Sequence, residues 1–240
     1  MTSTQQTPVP AQTPVATPEV PDGVTQVPLK GIRRIGARRM VAAWAAPVFH
    51  LTAEVDMTAA LAVARAPGIT VTDVLLRATA RALQANPGLN AHYADEVVSL
   101  HAAVNLGIAV STDAGLTVPV VHGVQSLSLA EISDRRKDVV TRARTGKLER
   151  KDVEGATFTV SNLGMLGVDR FDAIVNPPQV GILAVGSTRP RVVVRDGEMQ
   201  VRPVVELTLT CDHRAVDGAG GAGLLSRLRE ELEADAPDDA

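Results

Sequence analysis

The spacing of hydrophobic residues predicts a strand early in the chain and a helix after it. Residues 48–56, VFHLTAEVD, alternate from Phe49 onward between apolar residues at odd positions and polar residues at even positions. Such alternation is typical of a strand with one buried face. Residues 70–88 instead place Leu75, Ala78 and Ala82 at helical spacing and stop at the breaker NPG, which predicts a helix.

Two further helices and five further strands are predicted by the same reasoning. Ser128 and Glu131 have the spacing of a capping box and open a charged amphipathic helix, and a glycine-rich segment opens a final helix at Gly218. Mixed helices and strands without regular βαβ alternation favour the α+β fold class, with helices layered on a mixed sheet. The predicted strands cover residues 104–112, 115–121, 156–162, 179–187 and 203–211.

Proline distinguishes the beginning of the chain from the rest. Residues 1–28 hold six of the fifteen prolines, a composition typical of extended, disordered arms. We therefore predict a disordered Pro/Ala/Thr-rich arm over residues 1–27, one globular domain over residues 28–235 and an acidic tail over residues 236–240.

Composition and charge argue against several classes of function. The chain is 45% hydrophobic and 21% charged with a net charge of −3, so we expect neither a nucleic acid nor a membrane as a partner. No apolar run approaches the roughly 18 to 20 residues of a bilayer span, and the N-terminus lacks the features of a secretory signal. Because the single cysteine cannot form an internal disulfide, a cytoplasmic location is expected.

The stretch CDHRAVDG, residues 211–218, places charged groups where a strand pattern stops. If the strand continues, His213 shares a buried face with Cys211, and a neutral imidazole there can act as a general base near neutral pH. Asp217 follows four residues later, at the start of the last helix. From spacing alone two interpretations remain open: a pair of catalytic residues, or a turn in which Asp217 is a helix N-cap.

A second stretch, ATFTVSNLGMLG, ends a strand at Ser161 and Asn162 and continues into a glycine-rich segment. A hydroxyl in that position can donate a hydrogen bond to an oxyanion that develops during a reaction. Serine, asparagine and glycine are also ordinary turn residues. From these residues alone a plain turn is the simpler interpretation.

The other reactive side chains indicate no site of their own. The five histidines have no metal-ligand spacing, so we expect no metal, and no Walker-type phosphate loop is present. Cys211 lies in a β pattern, where a lone cysteine is more often a small buried apolar residue than a nucleophile.

Two segments together resemble a known family. DHRAVDGA, residues 212–219, and TFTVSNLGMLGVDRFDAIVNPPQVGILAVG, residues 157–186, resemble the catalytic domain of the dihydrolipoamide acyltransferases of 2-oxo acid dehydrogenase complexes. Chloramphenicol acetyltransferase is similar in fold. The likeness extends from about Val27 through the final helix. It implies an acyltransferase domain with a two-layer α+β architecture, and it outweighs both plain-turn interpretations.

The resemblance implies a role for each candidate residue. His213 matches the general base that deprotonates a thiol or hydroxyl acceptor, and Ser161 matches the donor that stabilises the tetrahedral oxyanion. Asp217 matches an aspartate that supports the site through an arginine, for which Arg39 is a candidate. The acyl group would pass directly from coenzyme A to the acceptor without an acyl-enzyme, so acetyl-CoA is the expected donor. No individual CoA-binding residue is predicted.

The resemblance further implies a homotrimer with active sites between subunits. His213 would come from one chain and Ser161 from its neighbour, and CoA and the acceptor would enter a channel from opposite ends.

Three departures from the family shape the expected function. The proline-rich arm is too short for a lipoyl domain, so no covalent lipoyl group is expected on this chain. His122 stands where the family usually has Arg or Lys, and the acidic C-terminus lacks the apolar tail that docks trimers into shells.

We therefore predict a stand-alone, acetyl-CoA-dependent acyltransferase of biosynthesis that acts on a small-molecule hydroxyl, such as a tetronate-type natural product. The alternative is the dihydrolipoamide acyltransferase core of a dehydrogenase complex, acting on a lipoyl domain of another chain. A trimeric scaffold without activity is the third possibility.

Overall fold

The computed structural model describes residues 22–234 of the 240-residue chain. Residues 22–30 contain no helix or strand and belong to a separate unit from the chain that begins at Gly31. The predicted arm over residues 1–27 lies mostly outside the described residues and the acidic tail lies wholly outside them, so both stay predictions.

The helices of the described region are α1 (Gly31–Ala43), α2 (Thr58–Val63), α3 (Val71–Ala85), α4 (Leu129–Arg144) and α5 (Gly218–Glu233). The strands are β1 (Val48–Asp56), β2 (Ala91–Ala94), β3 (Val97–Leu100), β4 (Leu106–Ile108), β5 (Val110–Thr112), β6 (Gly115–Thr117), β7 (Val120–Val121), β8 (Phe158–Asn162), β9 (Gly181–Val185), β10 (Arg189–Arg195) and β11 (Glu198–Asp212).

A mixed sheet carries the fold. Its strand order is β1-β11-β9-β8-β4-β7, and β10 pairs with the first half of β11. β8 runs parallel to β9 and β4, whereas β11 is antiparallel to β1, β9 and β10. Two small hairpins, β2-β3 and β5-β6, stand apart from this sheet.

The main core lies between the sheet and a layer of helices. Alternate residues of β11, among them Leu207 and Leu209, are fully buried together with Leu75 and Leu83 of α3 and Leu228 of α5. The other sheet face is covered in part by the segment that leads to β9, where a smaller cluster forms; it comprises Ala173, Val175, Ile182 and Ala184. The predicted α+β architecture of helices packed on a mixed sheet is therefore confirmed.

Local sequence signals account for the ends of the long elements. The predicted capping box of Ser128 and Glu131 opens α4, because the Ser128 hydroxyl accepts from the Glu131 backbone N–H and the Glu131 carboxylate accepts from the Ser128 backbone N–H. Asp196 and Gly197 form the turn between β10 and β11 with φ values of 53° and 81°. No helix in residues 22–234 is long and apolar enough to cross a membrane.

Candidate functional site

His213 is the first residue after β11 and is exposed in the single chain. Its backbone N–H donates to the carbonyl of Pro47, 2.8 Å away, and its ring lies 4.6 Å from the ring of Phe49, centroid to centroid. The expectation that His213 continues the buried face of Cys211 is wrong, because the strand ends at Asp212 and the chain turns there. The turn leaves the imidazole accessible to a substrate.

Asp217 is the N-cap of α5, which is one of the two interpretations that its spacing from His213 left open. Its carboxylate accepts a hydrogen bond from the backbone N–H of Gly220 at 2.8 Å. Within residues 22–234 no ion pair joins Asp217 to Arg39, so the predicted arginine partner is not found in the single chain. The cap fixes the beginning of α5 relative to the turn that carries His213.

His213 and Asp217 line the same open cleft, which has a volume of about 530 Å³. Its opposite wall is residues 85–89, where α3 ends in the sequence Ala-Asn-Pro-Gly-Leu. The cleft therefore joins two segments that are far apart in the sequence, and it gives the imidazole of His213 room to meet a substrate.

Ser161 lies near the end of β8 and is half-buried. The turn that follows is tight, because the side chain of Asn162 accepts from the Gly164 backbone N–H at 2.9 Å. A Cβ on Gly164 would clash with the carbonyl oxygen of Gly186, so only glycine fits there. The predicted strand end and glycine turn are confirmed, and they place Ser161 near the C-terminal end of β8, an interior strand of the sheet.

The sheet register shows that one chain does not bring Ser161 and His213 together. Ser161 pairs with Ala184 of β9, which in turn pairs with Thr208 of β11. His213 lies five residues beyond Thr208. At about 3.3 Å per residue and about 4.8 Å between strands, the two Cα atoms are roughly 16 Å apart along the strands and about 10 Å apart across them. No single acyl group can contact both side chains in one protomer.

The sequence shows a charged residue on each side of His213, but the prediction gave neither of them a role. The Asp212 side chain is 4% exposed and forms an ion pair with Arg214 at 2.6 Å. A carboxylate that is nearly buried at the end of a strand requires a partner. The signal in the sequence was Arg214, two positions after Asp212, which could have been predicted as the partner of that carboxylate.

Cys211 takes no part in the site. It is completely buried, and burial together with the nearby Asp212 carboxylate raises the pKa of its thiol to about 12. A thiol of that acidity is a poor nucleophile at neutral pH. Residues 22–234 contain no group of three or more histidine, cysteine or acidic side chains arranged to hold a metal ion.

Comparison with known proteins shows the family. The model of the 2-oxoacid dehydrogenases acyltransferase (catalytic domain) family matches residues 21–238. The dihydrolipoyllysine-residue acetyltransferase component of the mitochondrial pyruvate dehydrogenase complex of Dictyostelium discoideum is 36% identical over 227 residues, which cover 90% of this chain and 36% of the relative. The chain therefore spans little more than a third of that relative.

Solved structures agree with the family and the fold. A probable dihydrolipoamide acetyltransferase from Listeria monocytogenes matches with a TM-score of 0.86 and 30% identity, over 91% of this chain and 98% of the other. Dihydrolipoamide acetyltransferase from Azotobacter vinelandii matches with a TM-score of 0.82 and 33% identity, over 90% and 97% of the two chains. Chloramphenicol acetyltransferase, at 14% identity over 82% of this chain and 94% of the other and with a TM-score of 0.57, shares the fold alone.

These relatives correct the predicted reaction. The prediction of a biosynthetic enzyme that acts on a small-molecule hydroxyl is wrong, because the similar proteins are dihydrolipoyllysine acetyltransferases. The preference for an alcohol had rested on His122 and on the predicted arm and tail, most of which lies outside the described residues. A base and an oxyanion donor serve a thiol as well as a hydroxyl, so the site itself never favoured the alcohol.

The predicted resemblance is thus confirmed by sequence, by fold and by the extent of both matches. It covers the sheet, the helical layer, the turn after β11 and the turn after β8. The chain belongs to the acyltransferase catalytic-domain family of the 2-oxoacid dehydrogenases.

Proposed function

We propose that this chain transfers an acetyl group between coenzyme A and the thiol of a dihydrolipoyl group carried on another chain or domain. Support comes from the identity and fold shared with dihydrolipoamide acetyltransferases. It comes equally from a cleft of about 530 Å³ in which the ring of His213 is accessible. The cytoplasmic location expected from the cysteine content is retained as part of this proposal.

His213 is proposed as the general base. It takes the proton from the attacking thiol, and the resulting thiolate attacks the thioester carbonyl of the acyl donor. The C–O π electrons move to the oxygen and form a tetrahedral oxyanion, to which the Ser161 hydroxyl donates a hydrogen bond. The oxyanion collapses, the second thiolate leaves, and it receives the proton from the imidazolium. The protein stays free of covalent acyl groups throughout.

One observation carries these roles. The A. vinelandii enzyme was investigated for the roles of a serine, a histidine and an asparagine in its catalytic mechanism. The intervals from the serine to the histidine and from the histidine to the third residue are the same as those that separate Ser161, His213 and Asp217 here. The third residue is an aspartate in this chain, and like an asparagine it can cap a helix.

We propose that two copies complete each site and that the assembly is a homotrimer. Ser161 and His213 lie at opposite ends of antiparallel strands in one chain, so a neighbouring copy has to supply one of them. A related structure is the cubic core of the pyruvate dehydrogenase multienzyme complex, which shows that a similar chain assembles.

Mixing two variants of greatly reduced activity tests the function and the shared site together. Ser161→Ala and His213→Ala chains are each assayed with acetyl-CoA and dihydrolipoamide, alone and after co-refolding in equal amounts. In a random cyclic assembly about a quarter of the interfaces combine the intact serine with the intact histidine, so about a quarter of wild-type activity is expected.

The control mixes His213→Ala with the double variant, which leaves no intact interface and should restore nothing. Absence of turnover by the wild-type protein on dihydrolipoamide would refute the proposed reaction. If the wild-type protein turns over dihydrolipoamide but the mixture of the two variants does not, both residues belong to the site of one protomer.

A further inference from the structure

Asp212 and Arg214, the residues on either side of His213, are joined by several hydrogen bonds. One Asp212 carboxylate oxygen accepts from the Arg214 backbone N–H at 3.0 Å and from its Nε at 2.9 Å. The other oxygen accepts from Nη2 at 2.6 Å. The guanidinium therefore binds the carboxylate in a fork, and the backbone bond closes a short loop whose middle residue is His213.

The same guanidinium is stacked on an aromatic ring. The Arg214 guanidinium carbon lies 4.4 Å from the centroid of Tyr93, within the range of a cation–π contact. Tyr93 belongs to β2, and its backbone N–H donates to the Pro178 carbonyl at 2.8 Å. The ring is thus held by the segment that leads into β9, a part of the chain remote in sequence from the turn.

The backbone of the turn depends on Asp212. Its carbonyl oxygen accepts from the backbone N–H groups of Ala215 and Val216, at 3.1 and 3.0 Å. The Asp212 side chain is 4% exposed, and within residues 22–234 the guanidinium of Arg214 is the charge that pairs with it. A nearly buried carboxylate without that partner would have to move toward water, and the turn would move with it.

From these contacts we propose that Arg214, held between Asp212 and Tyr93, is a positioning residue that sets the orientation of the His213 imidazole in the cleft. The inference rests on the proposed role of His213 as the base. Arg214 also lines the cleft, so substrate binding by its guanidinium is the competing role that the experiment has to separate.

Arg214→Lys is the decisive variant, because lysine keeps the positive charge and loses both the fork and the stacking surface. Steady-state rates are measured with acetyl-CoA and dihydrolipoamide. The expected result is a kcat about 10²-fold lower, the loss produced by a misplacement of about 1 Å, with KM for either substrate unchanged. Tyr93→Leu, which removes the ring face, should lower kcat between about twofold and 30-fold.

Arg227→Lys is the matched control. Arg227 pairs with the Glu231 carboxylate of the same helix, with side-chain exposures of 46% and 11%, and lies more than two turns along α5 from Asp217. The Arg227→Lys variant should keep the kcat and KM of the wild type. A rise in KM for Arg214→Lys at constant kcat would overturn the proposal in favour of substrate binding, and so would kcat equal to that of the control.

Hydrogen exchange gives a readout that does not depend on turnover. In Arg214→Lys the amides of residues 213–217 should exchange faster than in the wild type, while those of β8 and α3 keep their rates. Unchanged exchange in the turn would refute the positioning role. The proposed function fails by a different result, namely no turnover of dihydrolipoamide by the wild-type protein, whatever the exchange rates of the turn.

Discussion

The imidazole of His213 packs against the ring of Phe49, with ring centroids 4.6 Å apart and planes inclined by 48°. Phe49 is the second residue of β1, and its partner across the sheet is Cys211 of β11. The strand pairing therefore delivers an aromatic wall to one side of the proposed base. Phe49 at the start of β1 supplies this wall, and Pro47, just before β1, accepts the hydrogen bond from the His213 backbone.

Replacing Phe49 by leucine should lower kcat without weakening substrate binding. Leucine preserves an apolar side chain in the sheet but removes the ring that packs on the imidazole. An aromatic pair contributes about 0.5–1.5 kcal/mol, so we expect kcat to fall by about two- to tenfold at unchanged KM for acetyl-CoA. Steady-state assays of purified protein measure both constants, and a wild-type kcat would show that the ring contact does not orient His213.

His213→Ala should lower kcat by about 10²- to 10⁴-fold, the range that a positioned base contributes. Binding of CoA, measured by titration calorimetry, should be little changed. Because His213 is exposed and outside the core, the variant should unfold at the wild-type temperature. Near wild-type turnover would remove His213 from the mechanism.

Ser161→Ala should reduce kcat by about 10²- to 10³-fold, as expected for the loss of one oxyanion donor. KM should stay the same, because the bond forms fully only with the tetrahedral oxyanion. Ser161→Thr keeps a hydroxyl and serves as the matched control, with part of the activity expected to return. Near wild-type activity of Ser161→Ala would contradict the oxyanion role.

Asp217 is expected to act first on the stability of α5. Asp217→Ala removes the side chain that accepts from Gly220 N–H and should lower the free energy of unfolding by about 1 kcal/mol. Asp217→Asn keeps a cap and should leave that free energy within a few tenths of a kcal/mol. Urea denaturation of the two variants makes the comparison. If both lose stability equally, the negative charge matters more than the cap.

Low pH should weaken the ion pair between Asp73 of α3 and Arg136 of α4. Burial opposes ionisation of Asp73, but hydrogen bonds from Arg136 and Thr70 outweigh it and hold the pKa of this carboxyl below its ordinary value. Since the folded protein binds that proton less readily than the unfolded chain, Asp73 stabilises the fold above about pH 4. This contribution is lost as the pH falls through the lowered pKa.

Asp73→Asn tests that contribution. Removing one charge of a buried pair costs about 3–5 kcal/mol, so the variant should be much less stable than the wild type near pH 7. The difference should shrink in acid. Denaturant unfolding at several pH values follows it, and a difference that is constant with pH would contradict the assignment.

The sequence predicted the elements whose signals are local. The alternation in residues 48–56 is the observed β1, and the capping box at Ser128 opens the observed α4. α1 and the β2-β3 hairpin were missed. Most apolar side chains of α1 are exposed, including Ile35 and Val41, so its pattern does not show the buried stripe from which a helix is predicted.

The candidate site was predictable only in its residues. His213, Ser161 and Asp217 were singled out from two short motifs, whereas the distance between the first two depends on the strand order β8-β9-β11, which no local pattern encodes. The contact of Arg214 with Tyr93 likewise joins segments remote in sequence. The acceptor was mispredicted because a general base and an oxyanion donor serve a thiol and a hydroxyl acceptor equally well. These residues therefore do not show whether the acceptor atom is sulfur or oxygen.

The opposed positions of Ser161 and His213 have a consequence for how activity depends on protein concentration. If each site needs two copies, a folded chain diluted below the dissociation constant of its assembly stops turning over while its helices and sheet persist. Specific activity then becomes a measure of association, and circular dichroism a separate measure of folding. On dilution the specific activity would fall while the circular dichroism signal stayed constant. For an enzyme whose site lies within one chain, both would stay constant.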